Sequence, residues 1–364
     1  MKRVLFIGTT NYDFQKSFPS HLEEKFLGLS RGIKPYVLAR GRPFRKKIWQ
    51  TEFYLLRSRM FYWPFAFLIG FYLCLFKKID LIVAQSPLIE GFWGVLLKKI
   101  FKKELIIEVL GDWVAEAFLS KKRKFEKLQR KIVPILADFN LKRADKIRTV
   151  SKYFTQKLKE IIPQKQYFSF PAFPNLKFFS EEKEINFNNF ILFVGRLTQI
   201  KGIKYLIHAF SKIKNEFPEF QLVIIGEGPE RNNLELQTSG LGLKERIEFK
   251  GRLFPKEVRE AMKDCYCLVL PSLSEGLGMV IIEAQALSKP VIGSNVQGIP
   301  NLIRDGENGF LFPPGNSEEL AKRLTILLKD KNLAIRMGRK GKEFIKENFS
   351  NEKYIKNYIE MINS

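Results

Sequence analysis

Short apolar runs recur along the chain and alternate with stretches whose apolar positions fall three and four apart, the pattern of strands interleaved with helices. Val4 to Gly8 (VLFIG) predicts a first strand, and Ser20-His-Leu-Glu23 carries the spacing of a capping box that opens a helix through Gly28. PYVLAR, FYLLR, DLIVAQ, ELIIEVL and KIRTVS follow as strand-like runs, several of them separated by helix-length segments. That order predicts a largely parallel α/β sheet over residues 1 to about 160.

From Ile161 to Asn189 the periodicity fails, with Pro163, Pro171, Pro174 and an acidic patch at Glu181, Glu182 and Glu184, and the domain linker is expected there. The pattern then restarts. FILFVG, FQLVIIG, IEFKG, CLVLP, PVIGS and GFLFPP alternate with predicted helices at Gly202–Asn215, Pro229–Thr238, Pro255–Asp264, Met279–Leu287 and Ser317–Leu328, which makes a second α/β domain of similar plan. Helices at about 331–347 and 351–362 close the chain, and no repeat or low-complexity tract interrupts it.

With 364 residues, 45% of them hydrophobic, the chain can fill two cores. Charge adds an asymmetry that pattern does not reveal. The formal net charge is +24, and residues 1–175 hold 34 Lys plus Arg against 14 Asp plus Glu, so the front half carries most of the excess. An anionic partner for the first domain is expected: a lipid surface, a phosphorylated acceptor or, third, nucleic acid. Met60 to Phe76 is an apolar run of 17 residues flanked by Arg57, Arg59, Lys77 and Lys78, near the lower limit for crossing a bilayer. Pro64, Gly70 and the strand that follows favour a helix packed in the first domain over one lying at a membrane interface. KKRKFEKLQRKIVPIL sets Phe125, Leu128, Ile132 and Ile135 at helical spacing among seven cations, a basic amphipathic helix that reads either as a core stripe with a solvated face or as a surface for anionic headgroups. Cys74, Cys265 and Cys267 have no zinc spacing and read as reduced core thiols, the last two facing opposite sides of a strand. The start MKRVLFIGTTNYD has too few apolar residues for a signal peptide, so a cytoplasmic location is expected.

The stretch Ser272 to Pro290, SLSEGLGMVIIEAQALSKP, concentrates the candidate chemistry. An apolar run precedes it, Gly276 and Gly278 bracket a turn, and helical spacing begins at Met279. A helix N-terminus reached through such a turn offers unpaired N–H donors and the positive end of a dipole, which suits a phosphate. Glu275 and Glu283 could then both reach a polyhydroxylated ligand whose phosphate the turn holds. FVGRLTQIKG puts Arg196 and Lys201 at the carboxyl end of the second domain's first strand, the edge where open parallel sheets bind ligands, and a guanidinium fork with a point charge suits a diphosphate. GEGPE at Gly226–Glu230 has Arg231 where the third glycine of a dinucleotide fingerprint belongs, and the loop after Gly8 lacks it too, so a dinucleotide oxidoreductase is disfavoured. No Asp-x-Asp occurs, and His21 and His208 form no ligand cluster, so no metal site is expected. His208 reads as a helix-face residue; His21 sits at a helix start near the first domain's sheet edge.

SEGLGMVIIEA together with GRLTQIKG resembles the donor-site signature of retaining GT-B glycosyltransferases of family 4, the glycosyl transferases group 1, and the likeness extends over most of residues 190–330. It implies an α/β chain of two Rossmann-like domains facing across a cleft, the GT-B fold. The N-terminal domain, residues 1–172, would bind the acceptor and be joined by a C-terminal helix at about 350–364 crossing back; residues 173–349 would bind the nucleotide sugar. Arg196 and Lys201 would hold the diphosphate, and Glu275 would contact hydroxyls of the transferred sugar. Gly195 and the backbone of Gly276, Leu277, Gly278 and Met279 would line sugar and phosphate, Glu283 would accept from the ribose, and Arg252 and Leu253 would border the base. On the acceptor side the counterparts are Gly8 in GTTNYD, His21, and Asp112 in Leu110-Gly-Asp112-Trp113, where the family's histidine is missing.

The expected activity is transfer of a sugar from a nucleotide-diphosphate donor to a lipid-linked, glycan or other anionic acceptor, with no cofactor and no metal, in the cytoplasm or on the inner face of the membrane, and with no nucleic acid partner. The alternative is a GT-B relative without transferase activity, such as a nucleotide-sugar epimerase or an inactive binding subunit.

Overall fold

The apolar runs of the sequence are the strands of two sheets in a computed structural model, which describes residues 1–12, 20–41, 44–56, 62–113, 126–180 and 186–364. Two units are distinguished: Met1–Val114, Phe125–Phe173 and Asn351–Ser364 in the first, Pro174–Ser350 in the second. The first contains β1 (Lys2–Tyr12), α1 (Ser20–Leu29), β2 (Ile33–Gly41), β3 (Phe44–Ile48), β4 (Thr51–Leu56), α2 (Tyr62–Phe76), β5 (Leu81–Ala84), α3 (Ile89–Phe101), β6 (Glu104–Val109), α4 (Glu126–Arg143), β7 (Lys146–Thr149), α5 (Lys152–Ile161) and β8 (Gln166–Ser169). The second contains α6 (Leu176–Ser180), β9 (Phe190–Val194), α7 (Ile203–Ile213), β10 (Gln221–Ile225), α8 (Arg231–Gly240), β11 (Ile247–Gly251), α9 (Pro255–Asp264), β12 (Cys267–Leu270), α10 (Met279–Ala286), β13 (Val291–Ser294), β14 (Phe310–Phe312), α11 (Ser317–Lys329) and α12 (Lys331–Asn348). The last helix, α13 (Asn351–Asn363), belongs to the first unit.

The first sheet runs β3-β4-β2-β1-β5-β6-β7-β8 and is parallel except for the β3–β4 pair. Side chains alternate across a strand, so each strand feeds two layers. Val4 and Phe6 of β1 join Phe26 and Leu29 of α1 and Tyr354, Tyr358 and Met361 of α13 in one core. On the opposite face Gly70 of α2 lies against Leu5, and Gly94 of α3 against Ala84 and Leu105, so α2 and α3 cover the other side. The α13 side is also tied by a buried polar network. Arg148 pairs with Glu108 at 2.6 Å, the Tyr358 hydroxyl donates to the same carboxylate at 2.8 Å, and Arg148 donates to the Pro171 carbonyl at 2.6 Å.

The second sheet, β11-β10-β9-β12-β13-β14, is parallel throughout. Its carboxyl ends therefore share one edge, where the loops after β9, β11, β12 and β13 meet.

Several expectations change. The units divide between Phe173 and Pro174, inside the stretch expected to hold the linker, although that stretch also forms β8 and α6. Strand β3 has no strong apolar alternation (FRKKI) and forms by antiparallel pairing to β4, a tertiary contact that local sequence does not announce. Ile132 and Ile135 are exposed, which goes against the core-stripe reading, one of the two given for the basic helix; Ala137, Asn140 and Leu141 form the buried side of α4. Residues 121–125 of that helix and Glu181, Glu182 and Glu184 lie outside the described residues, as do the side chains of Lys127, Leu128 and Arg130. Cys265 ends α9 rather than standing in β12, and all three cysteines are buried. Among the described residues no helix is long and apolar enough to cross a membrane.

Candidate functional site

Strand β9 ends at Val194 because Gly195-Arg196 leads into a loop. That loop is pinned to the neighbouring one: the Leu197 N–H donates to Glu227 O at 3.0 Å and the Gly195 N–H to Ile225 O at 3.0 Å. A 3-10 turn, Gln199–Lys201, then carries Lys201 to the start of α7. After β12, the Leu273 N–H donates to Ile200 O at 2.7 Å, which joins the two loops by backbone.

This juxtaposition brings Lys201 Nζ to 2.5 Å from Glu275 Oε2, and both side chains are largely buried. The Ser272 hydroxyl donates to the same oxygen at 3.1 Å. Gln297, from the loop after β13, accepts the Glu275 N–H at 2.8 Å and the Ser274 hydroxyl at 3.0 Å. Residues 74 apart in sequence are thus held as one unit by side chains from three loops.

The turn itself starts α10 through Gly278, whose φ of +94° is a conformation that suits only glycine without strain. Gly298 comes so close to Gly276 O and the Leu277 Cα that a Cβ there would collide with backbone. The N–H groups of Gly276, Leu277, Gly278 and Met279 donate to no acceptor among the described residues. Four open donors at a helix N-terminus form an anion cradle.

Arg196 is exposed at the end of β9; its carbonyl accepts from the Thr198 N–H at 3.0 Å, but its guanidinium makes no hydrogen bond or ion pair among the described residues. Glu283 lies on α10 about one turn beyond the glycines. It is half-buried, its carboxylate has no hydrogen-bond or ion-pair partner among the described residues, and burial pushes that carboxyl up to about 7. Arg252, exposed, and Leu253, half-buried, follow β11 at the same sheet edge. Arg252 forms no hydrogen bond or ion pair with either carboxylate. No group of three His, Cys, Asp or Glu side chains among the described residues is placed to hold a metal ion.

In the first unit, the Gly8 carbonyl at the end of β1's buried segment accepts from the Tyr62 hydroxyl at 2.5 Å, and Gln85 packs where a side chain at Gly8 would stand. Asp112 lies 3.9 Å from Lys157. His21 is in α1, but its side chain lies outside the described residues. The described contacts bring these three residues into no common cluster. His208 is exposed on α7 and bonds Gln237 at 2.6 Å, a helix-face residue.

Ser272 and Gln297 were not legible as site residues. Ser272 lies within the motif but is generic there. Gln297 has a left-handed φ of +46° and follows the PVIGS strand, and only that strand's place beside β12 puts its carboxamide on Glu275.

A family model described as glycosyl transferases group 1 matches residues 177–344. Over 295 residues, 80% of this chain and 77% of the relative, the sequence is 32% identical to the uncharacterized glycosyltransferase MJ1178 of Methanocaldococcus jannaschii. It is 34% identical over 147 residues to the alpha-D-kanosaminyltransferase of Streptomyces kanamyceticus, an alignment that spans 40% of this chain and 38% of that protein. Among solved structures, a sucrose-phosphate synthase from Thermosynechococcus elongatus superimposes with a TM-score of 0.82 at 20% identity, covering 100% of this chain and 98% of the other. Alr3699/HepE from Anabaena, in complex with UDP, gives 0.73 at 17% identity with 100% of both chains covered.

Proposed function

The chain belongs to the glycosyl transferases group 1 family, and from that premise we propose that it moves a sugar from a nucleoside-diphosphate donor to a lipid-linked, glycan or other anionic acceptor, retaining anomeric configuration and needing no metal ion. Its two Rossmann-like units are those of the GT-B fold, and its activity is that of a nucleotide-sugar-dependent glycosyltransferase.

The observation that carries the donor reading is the Lys201–Glu275 contact, with Arg196 and four amide N–H groups left open at the same sheet edge. In this reading Arg196 and Lys201 neutralise the diphosphate, and the amides of Gly276 to Met279 with Gly195 line sugar and phosphate. Glu275 holds Lys201 before the donor arrives and accepts from the sugar's hydroxyls once it is bound. Glu283 accepts from the ribose, and Arg252 and Leu253 border the base. Cleavage breaks the bond between the anomeric carbon and the β-phosphate oxygen and builds negative charge on that oxygen. Preorganised cations and N–H groups stabilise such charge without reorganising, which is why a metal is not required. The acceptor oxygen bonds the anomeric carbon on the face the phosphate leaves, and the acceptor's hydroxyl proton passes to the departing phosphate oxygen. Gly8, His21 and Asp112 remain the proposed acceptor-side residues, and the basic first unit is the reason for an anionic acceptor on the inner face of a membrane.

The test is a thermal-shift panel of nucleoside diphosphates and their sugars, beginning with UDP because HepE was crystallised with it. A ligand at 100 times its Kd adds about 2.7 kcal/mol of stability. Lys201→Ala is expected to lose that stabilisation and to lower transfer by about 100- to 1000-fold with an unchanged circular dichroism spectrum. Near-normal transfer by Lys201→Ala, or no stabilisation of the parent chain by any nucleoside diphosphate, would sink the donor assignment.

A further inference from the structure

We propose that the outward face of α2, with the lysines at the ends of α2 and α3, is a docking surface for an anionic phospholipid bilayer, the helix lying in the plane of the interface. The proposal deepens the membrane-side reading of the acceptor and rests on it for its purpose, but it draws nothing from the donor site.

Helix α2 is built inside out. Its buried side is made largely of small residues, Ala66, Gly70 and Cys74, together with Tyr62 and Leu73. Its outward side carries Phe65, Leu68, Tyr72, Leu75 and Phe76, between 46% and 64% exposed. These five positions fall within one arc of a 3.6-residue helix, and Tyr62–Phe76 contains no charged residue. A helix facing water places polar side chains outward; here the largest apolar ones are outward and the small ones allow close packing on the sheet. A contiguous exposed apolar face marks an interaction site.

Charge identifies the partner. Lys78 follows α2, and Lys99, Lys102 and Lys103 lie in or just after the last turn of α3; none of their four ammonium groups has a hydrogen-bond or ion-pair partner among the described residues. The nearby acids are already engaged: Glu52 by Lys77 at 3.7 Å, Asp145 by Lys98 at 2.6 Å, Glu104 by Lys146 at 2.5 Å, and Asp80 by the Arg3 N–H at 2.8 Å. The two helices are in ring contact, Phe71 on Phe101 at 4.9 Å, and Lys102 and Lys103 directly follow Phe101, so the end of α3 brings these lysines beside α2. A groove of about 1080 Å³ along α3 is lined by Phe92, Leu96 and Phe139 together with Lys99, Lys102 and Lys103. Apolar side chains beside free ammonium groups match the acyl boundary and headgroups of an anionic bilayer. With 15 residues α2 is about 22 Å long, shorter than the hydrocarbon core, so it lies along the surface and does not span it.

The experiment is flotation of the full chain with phosphatidylcholine vesicles, with and without phosphatidylglycerol. Binding is expected with phosphatidylglycerol and to fall about tenfold between about 0.1 M and 1 M salt, as the screening length drops from about 10 to about 3 Å. Phe65→Ser/Leu68→Ser/Leu75→Ser, and separately Lys78→Gln/Lys99→Gln/Lys102→Gln, should each weaken binding at least about tenfold, because each removes one of the two contributions to interfacial binding. Both variants should keep the parent's melting temperature and its stabilisation by nucleoside diphosphates. Failure of the parent to float, or equal flotation of the serine variant, overturns the proposal. So does a dimer of the parent, in sedimentation without lipid, that the serine variant abolishes, since a second copy would then cover the face. Vesicle binding without any nucleoside-diphosphate stabilisation would refute the donor reading and leave this surface standing.

Discussion

Glu283 has no counter-charge among the described residues, and burial holds its carboxyl near 7, so its protonation changes in the neutral range. An unfolded chain ionises this group near the ordinary carboxylate value of 4.5, whereas the folded protein keeps the proton to about 7. Between those values the native state binds more protons, and stability from this residue falls as pH rises through the window. Glu283→Gln is therefore expected to match the parent's melting temperature at pH 4.5 and to exceed it at pH 8, by on the order of 2 kcal/mol in stability. If Glu283 accepts from a ribose, the same variant should bind nucleoside diphosphates more weakly at pH 8. Melts at the two pH values, with and without UDP, separate the two effects; a Gln variant no more stable at pH 8 would show that the carboxyl is not held neutral.

At the scale of elements, the proposed donor edge depends on how closely the loop after β13 approaches the turn after β12. Gly298 stands where a Cβ would meet Gly276 O and the Leu277 Cα, both backbone atoms that no rotamer change can move. Gly298→Ala should shift the turn, destabilise the protein by about 1–3 kcal/mol and weaken nucleoside-diphosphate binding, because the amides of Gly276 to Met279 lose their alignment. Urea unfolding and the thermal-shift panel measure both, and an alanine variant with unchanged binding would mean the turn tolerates displacement. The sequence reads this stretch as strand, glycine turn and helix, and those elements stand as β12, the turn and α10. The partners of the turn were hidden because they come from loops about 20 and 75 residues away, brought alongside only by the strand order of the sheet.

At the scale of the whole molecule, the C-terminal helix is part of the first unit's core, and a buried ion pair fixes it there. Arg148 and Glu108 are nearly inaccessible, and Tyr358 of α13 completes the carboxylate's hydrogen bonds. Removing one partner leaves a buried charge uncompensated, so Glu108→Ala is expected to cost about 3–5 kcal/mol. Asp138→Ala breaks an exposed pair with Lys142 on α4 and should cost at most about 0.5 kcal/mol. Urea denaturation of the two variants tests the contrast, and equal losses would contradict it.

The sequence by itself determined what local chemistry decides: the periodicities of most strands and helices, the glycine turn at Gly276 to Gly278, and the residue types Arg196, Lys201, Glu275 and Glu283 that suit a charged, hydroxylated ligand. It also carried the excess positive charge of the front half. Tertiary structure alone decided which of these residues touch, because contacts such as Lys201 with Glu275 and Gln297 with the Glu275 amide depend on strand order and not on spacing. It decided as well that β3 is a strand, since FRKKI gains its hydrogen bonds only from β4. The same holds for α2: composition marks it as apolar, but only its packing on the sheet through Ala66, Gly70 and Cys74 turns its large side chains outward.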